Sequence, residues 1–136
     1  MQVVERESVA NQESPGLVHI GAVAERTGLS LRTLRHYDEV GLVTPSGRTD
    51  GGFRLYSTVD VDRLLLIRRM KPLGFTLEEM AALLAAVARP GSADGPADPG
   101  AVAALLEEAR ARREGLATKL RMADEFISLL AARTTS

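Results

Sequence analysis

A stretch rich in proline and glycine divides this sequence into two unequal parts. Residues 89–100 contain three prolines and three glycines. Proline removes a backbone donor and glycine raises the entropic cost of ordering, so neither a helix nor a strand is expected there. We therefore predict a linker over 89–100, a compact domain over 18–88 and a separate element over 101–133. The polar residues 1–17 are predicted to form a disordered tail.

The composition excludes several kinds of site. The 136 residues contain no cysteine, which excludes disulfide frameworks, thiolate metal sites and cysteine nucleophiles. There are only two histidines, His19 and His36, so a metal site would need mostly oxygen ligands. No phosphate-binding glycine loop, no cofactor motif and no cluster of His, Ser and acid is present. We therefore predict no catalytic residues, no metal, no cofactor and no enzymatic activity.

Cell location can also be predicted from the sequence. The longest apolar runs are short and bounded by charge, so no membrane-spanning segment is expected. The first residues carry Glu5, Glu7 and Glu13, which is not typical of a signal peptide. A soluble, cytoplasmic protein is predicted.

The charge is unevenly distributed along the chain. The whole chain has a net charge of −1, which does not indicate whether it binds nucleic acid. Residues 19–72, however, contain nine basic and six acidic side chains and carry a net charge of +3. The basic residues therefore concentrate in the predicted compact domain, which favours a polyanionic partner for that segment.

Two short helices with a tight turn are predicted at the start of the compact domain. Ile20, Val23 and Ala24 share one face of a first helix that ends before Gly28. Ser30 is a typical N-cap for a second helix. A pair of helices joined by a turn of about three residues that contains glycine is typical of a helix-turn-helix.

The second of these helices carries the residue types that read DNA. Arg32 and Arg35 lie three residues apart, with His36 and Tyr37 beside them. Arginine presents a planar fork to guanine or phosphate, and hydroxyl groups bind phosphate oxygens. A solvated helix face is the alternative explanation for an arginine pair, and the capped helix pair around it favours DNA recognition.

A β-hairpin is predicted after the second helix. Asp50, Gly51 and Gly52 favour a tight turn. The four residues after it alternate between apolar side chains and side chains with a polar group. Alternation places Phe53 and Leu55 on one face and Arg54 and Tyr56 on the other. A hairpin that follows a helix-turn-helix is a wing, and Arg54 there could reach a phosphate or the minor groove. Core positions are predicted at Leu34, Leu42, Phe53, Leu55 and Phe75.

Two more helices are predicted before the linker. The first begins near Ser57, with Leu64, Leu65, Ile67 and Met70 as its buried stripe. Pro72 and Gly74 end it. Thr76 and Glu79 form a capping box that begins the next helix, with Met80, Leu83 and Leu84 facing inward.

The order and spacing of these features resemble the DNA-binding domain of the MerR family of bacterial transcription regulators. The resemblance covers about 65 residues, nearly half of the chain. Six segments carry it: Ile20-Gly-Ala-Val-Ala24, Gly28-Leu-Ser30, Thr33-Leu-Arg-His-Tyr-Asp38, Gly41-Leu-Val-Thr-Pro45, Gly52-Phe-Arg-Leu-Tyr56 and Lys71-Pro-Leu-Gly-Phe-Thr76.

The resemblance implies a mainly α fold, namely a winged helix-turn-helix with a small β-hairpin wing followed by a long dimerisation helix. It also implies contacts with double-stranded DNA from the second helix, from the wing and from a lysine beyond it. His36 stands where many members have tyrosine. The DNA-binding residues implied are Arg32, Thr33, Arg35, His36, Tyr37, Arg48, Arg54, Tyr56 and Lys71.

The segment after the linker reads as one helix with an apolar seam. Nine positions alternate spacings of four and three, and all but Arg113 are apolar, which is the heptad pattern of a coiled coil. A helix of roughly 30 residues cannot bury such a stripe alone. A partner helix is therefore predicted; packing against its own domain is the alternative. The predicted dimerisation residues are Val102, Leu106, Ala109, Leu116, Leu120, Ala123, Ile127 and Leu130.

The family resemblance also implies how such a protein works. The helices would form an antiparallel two-helix coil in a homodimer that binds a near-palindromic promoter site. The dimer would distort the spacer between promoter elements, so that RNA polymerase engages both. The effector cannot be located, and the absence of cysteine excludes a thiolate-bound metal. The alternatives are an effector-free repressor or architectural protein, and a coiled-coil interaction module.

Overall fold

The computed structural model describes residues 16–87 and 98–135. The predicted tail and linker lie almost entirely outside these residues. The described chain is mostly helical and has one small sheet. In chain order the elements are β1 Val18–His19, α1 Ile20–Thr27, α2 Leu31–Glu39, β2 Gly47–Arg48, β3 Arg54–Tyr56, α3 Thr58–Met70, a 3-10 turn Lys71–Leu73, α4 Leu77–Val87 and α5 Pro99–Thr134.

The predicted helix-turn-helix is confirmed in α1 and α2. Helix α1 ends at Gly28, whose φ of 72° is the left-handed conformation that glycine tolerates. Helix α2 begins after Ser30, whose hydroxyl accepts a hydrogen bond from the Thr33 amide at 3.0 Å. Val23 of α1 and Leu34 of α2 are both fully or almost fully buried, so they pack the pair onto the core.

The wing belongs to a three-stranded antiparallel sheet with the order β1-β3-β2. The hairpin of β2 and β3 was predicted, and β1 was not. Strand β1 pairs Val18 with Tyr56 and His19 with Leu55. The wing is therefore joined by backbone hydrogen bonds to the segment that leads directly into α1.

The predicted facing of the wing residues is wrong for two aromatic side chains. Phe53 is 67% exposed, although we predicted it in the core, whereas Tyr56 is fully buried although we predicted it on the outer face. Strand β3 begins only at Arg54, so Phe53 lies in the turn, where strand alternation does not apply. Leu55 is also buried, and Tyr56 lies two residues before α3, where the end of the strand enters the core.

Helices α3 and α4 complete the core as predicted. Ser57 and Asp60 form a capping box at the start of α3, and Thr76 and Glu79 form one at the start of α4. The main buried cluster draws on every helix of the compact domain. Its members are Val23, Leu34, Tyr37, Val43, Tyr56, Val61, Leu64, Ile67, Met70, Phe75, Met80 and Leu84.

Helix α5 begins two residues earlier than predicted. The Asp98 carboxylate accepts a hydrogen bond from the Ala101 amide at 3.1 Å, and Pro99 occupies the first helical position, where its missing donor is harmless. The helix runs for 36 residues. At about 1.5 Å per residue this is roughly 54 Å.

The first turns of α5, up to Arg112, pack against the compact domain. Leu105 and Ala109 contact the core cluster, and Val102 is half-buried, so the alternative of packing against its own domain holds for these turns. Val102 and Ala109 thus make contacts within the chain, and their predicted part in dimerisation stays a prediction. From residue 113 to 135 every side chain except Ala117 is exposed. The predicted seam positions from Leu116 onward therefore lie on an open surface.

Candidate nucleic-acid interface

Helix α2 buries one face and presents basic side chains on the other. Leu34 and Tyr37 point into the core, and Arg32, Arg35 and His36 are exposed. The spacing of 3.6 residues per turn separates the two sets. In the described part of the chain no salt bridge involves either Arg32 or Arg35, so both guanidinium groups are available to an external anion.

The exposed face of α2 borders two open depressions. A groove of about 670 Å³ is lined by Arg32, Arg35, His36 and Glu39. A cleft of about 380 Å³ lies between α2, the 3-10 turn and α4, and Lys71 lines it together with Arg32 and His36. The structure thus brings four of the predicted DNA-binding residues, three from α2 and Lys71 from a turn, onto one continuous surface.

The wing arginines are tied to α2 by one carboxylate. The Arg54 Nε donates to Asp38 Oδ2 at 2.7 Å, and the Arg48 Nη2 lies 3.4 Å from the same oxygen. The Arg48 Nη1 also donates to the Gly52 carbonyl at 3.2 Å. The hydrogen bond that Arg54 donates to Asp38 raises the pKa of the Arg54 guanidinium above its already high ordinary value; burial opposes this rise, and the charge of Asp38 adds to it to a smaller extent. Arg54 is therefore held against α2 by a charge-assisted hydrogen bond, and Arg48 lies beside the same carboxylate.

Sequence reasoning gave Asp38 no part in the interface. Its partners Arg48 and Arg54 lie 10 and 16 positions further along the chain, so no local spacing rule indicates these contacts. The available signal was an acidic residue within a basic segment, one turn after Arg35. That signal predicts a partner cation and does not say which one.

Three predicted contact residues are less accessible than expected. Tyr56 is fully buried and therefore cannot touch DNA in this conformation. Tyr37 is 3% exposed, and this small exposed part lies in the wall of the cleft beside α2. Burial raises the pKa of both phenols, so both are neutral donors near neutral pH. Thr33 is half-buried, and its hydroxyl accepts a hydrogen bond from the Ser30 hydroxyl at 2.9 Å.

Other kinds of site find no support in the described residues. Residues 16–87 and 98–135 contain no group of three or more His, Asp or Glu side chains that could hold a metal ion. Within the same residues, no helix is both long enough and apolar enough to cross a membrane.

Comparison with known proteins assigns the chain to a family. The model of the MerR helix-turn-helix regulatory proteins matches residues 18–87, just over half of the chain. The chain belongs to the MerR family. A second family model, described as MerR, DNA binding, matches residues 61–126. The predicted resemblance to this family is thus confirmed.

Individual MerR relatives agree with this assignment. The HTH-type transcriptional activator TipA of Streptomyces coelicolor is 51% identical over 65 residues, which are 48% of this chain and 26% of TipA. The N-terminal part of the Bacillus subtilis multidrug transporter activator, MtaN, has a solved structure with a TM-score of 0.54. It is 34% identical, and the match covers 88% of this chain and 99% of MtaN.

A further solved structure shows the same fold. It is HiNmlR, a MerR family regulator lacking the sensor domain, bound to promoter DNA, with a TM-score of 0.67 and 22% identity. The match covers 85% of this chain and 88% of HiNmlR. By contrast, the match covers only 24% of the HTH-type transcriptional activator mta of Bacillus subtilis and 53% of the mercuric resistance operon regulatory protein of Bacillus cereus.

Proposed function

We propose that this chain binds a near-palindromic promoter site as a homodimer, with α2 of each protomer in the major groove. The observation that carries the proposal is the exposed basic face of α2, formed by Arg32, Arg35 and His36. A helix-turn-helix places its second helix against base edges in this way. Lys71 and the wing residues Arg48 and Arg54 flank that face, at positions suited to phosphate contacts.

The homodimer is supported by the open face of α5. Leu116, Leu120, Ile127 and Leu130 are between 43% and 64% exposed and recur with heptad spacing. Exposed apolar area of this extent on one helix favours burial against another helix. An antiparallel pairing of two copies would cover the stripe and separate the two DNA-binding domains symmetrically.

The proposed regulatory step is distortion of the promoter spacer, which would let RNA polymerase engage both promoter elements. TipA is named a transcriptional activator, and HiNmlR is bound to promoter DNA in its structure; both support a promoter as the target. Distortion selects sequence through DNA deformability as well as base contacts. A thiolate-bound metal is not the effector in this proposal, because the chain contains no cysteine.

Selection from random duplex DNA tests the proposal. Purified protein is used at two salt concentrations, in parallel with Arg35→Ala and with Arg110→Ala, which removes an exposed arginine of α5 away from α2. We expect an inverted repeat from the wild type and from Arg110→Ala. Salt-sensitive binding with no recovered motif would overturn the proposal and direct attention to the exposed face of α5 as an interaction surface.

A further inference from the structure

One arginine of α5 contacts three parts of the DNA-binding domain. The Arg112 Nη2 donates to Glu79 Oε2 of α4 at 2.9 Å, and its Nη1 donates to the Leu73 carbonyl of the 3-10 turn at 3.4 Å. The Arg112 guanidinium carbon lies 4.1 Å from the centre of the Phe75 ring. A single side chain thus combines an ion pair, a backbone contact and a cation–π contact.

The partners of Arg112 are themselves held in place. Glu79 Oε1 accepts a hydrogen bond from the Thr76 amide at 2.9 Å as part of the capping box, which leaves Oε2 for Arg112. Phe75 is 7% exposed and lines both the cleft beside α2 and the apolar groove beneath α5. The guanidinium group is therefore docked against rigid partners, one of which borders the recognition surface.

Arg112 lies where α5 leaves the compact domain. Before it, the Asp98 amide donates to the Ala86 carbonyl at 3.0 Å, and Leu105 and Ala109 pack against the core. After it, Ala117 is the one described side chain of α5 that is not exposed. Arg112 is consequently the last polar tie between this helix and the described part of the domain.

We propose that Arg112 is a positioning residue that sets the angle between α5 and the DNA-binding domain, and thereby the distance between the half-sites that the protein recognises. The inference rests on the proposed dimer. The end of α5 at Thr134 lies about 33 Å beyond Arg112 at 1.5 Å per residue, so a rotation of roughly 10° moves it by about 6 Å. Because one base pair rises by about 3.4 Å, that movement equals nearly two base pairs of spacing.

Binding to duplexes of graded spacing tests the inference. The inverted repeat selected by the wild type is prepared with its spacer shortened or lengthened by one and two base pairs, and a single half-site duplex is included. The variants are Arg112→Gln, Arg112→Lys and the matched control Arg110→Gln. Arg110 lies two residues earlier on the same helix, is exposed and is outside the predicted heptad seam.

We expect Arg112→Gln to lower the preference for the best spacer by about threefold or more, the scale of one cation–π contact. Arg112→Lys should lose less, because it keeps the charge, and Arg110→Gln should match the wild type. Affinity for the single half-site should stay unchanged in all variants. Thermal melts followed by circular dichroism confirm that each variant is folded.

The two proposals fail in different ways. If the wild type selects no repeated half-site, both the proposed dimeric function and this inference are overturned. If the wild type prefers one spacer and Arg112→Gln keeps that preference at the level of Arg110→Gln, the inference alone is overturned. Equal losses on every duplex, including the single half-site, would also overturn it, because they indicate damage to the DNA-binding surface and no change in angle.

Discussion

Asp38 Oδ2 accepts a hydrogen bond from Arg54 Nε at 2.7 Å and thereby joins the recognition helix to the wing. Both side chains are largely buried, with 14% of Asp38 and 23% of Arg54 exposed, so solvent screens this pair weakly. The bond uses the Nε–H group and orients the guanidinium group, whose Nη atoms extend beyond it. A carboxylate in the middle of a DNA-binding surface thus stabilises the orientation of the cation that we expect to meet the phosphate.

Asp38→Asn should therefore reduce specificity more than affinity. Removing the charge frees the wing arginines and also strengthens their attraction to any duplex. We expect the ratio of specific to non-specific affinity to fall by about tenfold, which corresponds to ~1.4 kcal/mol, close to the lower end for a hydrogen bond to a charged group. Glu39→Gln is the control, since it removes the neighbouring, exposed charge. Fluorescence anisotropy with both duplexes measures the ratio; equal effects of the two variants would contradict the role of Asp38.

Arg35→Ala should weaken binding to the selected site by about 1–3 kcal/mol and relax the sequence preference at one base position. The side chain is exposed on α2 and no salt bridge in the described residues holds it, so it is available to a base edge. Arg54→Ala should instead weaken all sequences alike and reduce the salt dependence, because a phosphate contact carries no sequence information. Titrations of both variants at several salt concentrations distinguish the loss of a base contact from the loss of a phosphate contact. Unchanged affinity of Arg35→Ala would place the reading surface elsewhere.

Two neighbouring wing residues should differ sharply in their effect on stability. Phe53 is 67% exposed and Leu55 is 2% exposed. Phe53→Ala should therefore change the free energy of unfolding by less than about 0.5 kcal/mol. Leu55→Ala should lower it by about 2–5 kcal/mol, because it leaves a cavity in the core. Urea denaturation measures both free energies of unfolding. A large loss of stability in Phe53→Ala would indicate that Phe53 packs in the core, as strand alternation predicts.

Local signals explain which parts of the fold could be predicted from the sequence. The turn at Gly28, the cap at Ser30 and the capping box of Thr76 and Glu79 depend on residues at most four positions apart. Each has one favourable geometry wherever it occurs. The helix-turn-helix and the start of α4 were therefore predicted correctly.

The features that sequence reasoning missed depend on how distant segments meet. The Asp38–Arg54 bond spans 16 residues and the Arg112–Glu79 bond spans 33. Burial of Tyr56 follows from its pairing with Val18 in a strand of only two residues, too short for a periodic signal. The apolar spacing in α5 correctly indicated an amphipathic helix, but could not say that its first turns pack against the chain's own domain.

The Glu79 carboxylate predicts a pH-dependent stability. The Thr76 amide, and to a smaller extent Arg112, lower the pKa of Glu79 in the folded protein. A carboxylate with a lowered pKa stabilises the fold above its unfolded pKa of about 4.3, and this contribution is lost as the pH falls through the folded pKa. The melting temperature of Glu79→Gln should therefore lie below that of the wild type near neutral pH. The gap should shrink on acidification.

Glu78→Gln serves as the control for that comparison, because Glu78 is the preceding carboxylate and makes neither contact. Thermal melts of the three proteins at a series of pH values provide the test. If the difference in melting temperature between wild type and Glu79→Gln is the same at every pH, the charge of Glu79 does not contribute to the stability of the fold.

Charge placed in the seam of α5 should separate the proposed dimer. Leu116 and Leu120 are 43% and 64% exposed within one chain, so substituting both by Asp leaves the compact domain intact. Across a helix pair the two carboxylates would lose hydration without a partner, which costs several kcal/mol. We expect monomers by sedimentation equilibrium, with an unchanged melting profile for the domain. Thr118→Asp, which adds charge away from the seam, should remain dimeric, and a dimeric Leu116→Asp/Leu120→Asp would place the interface on another face.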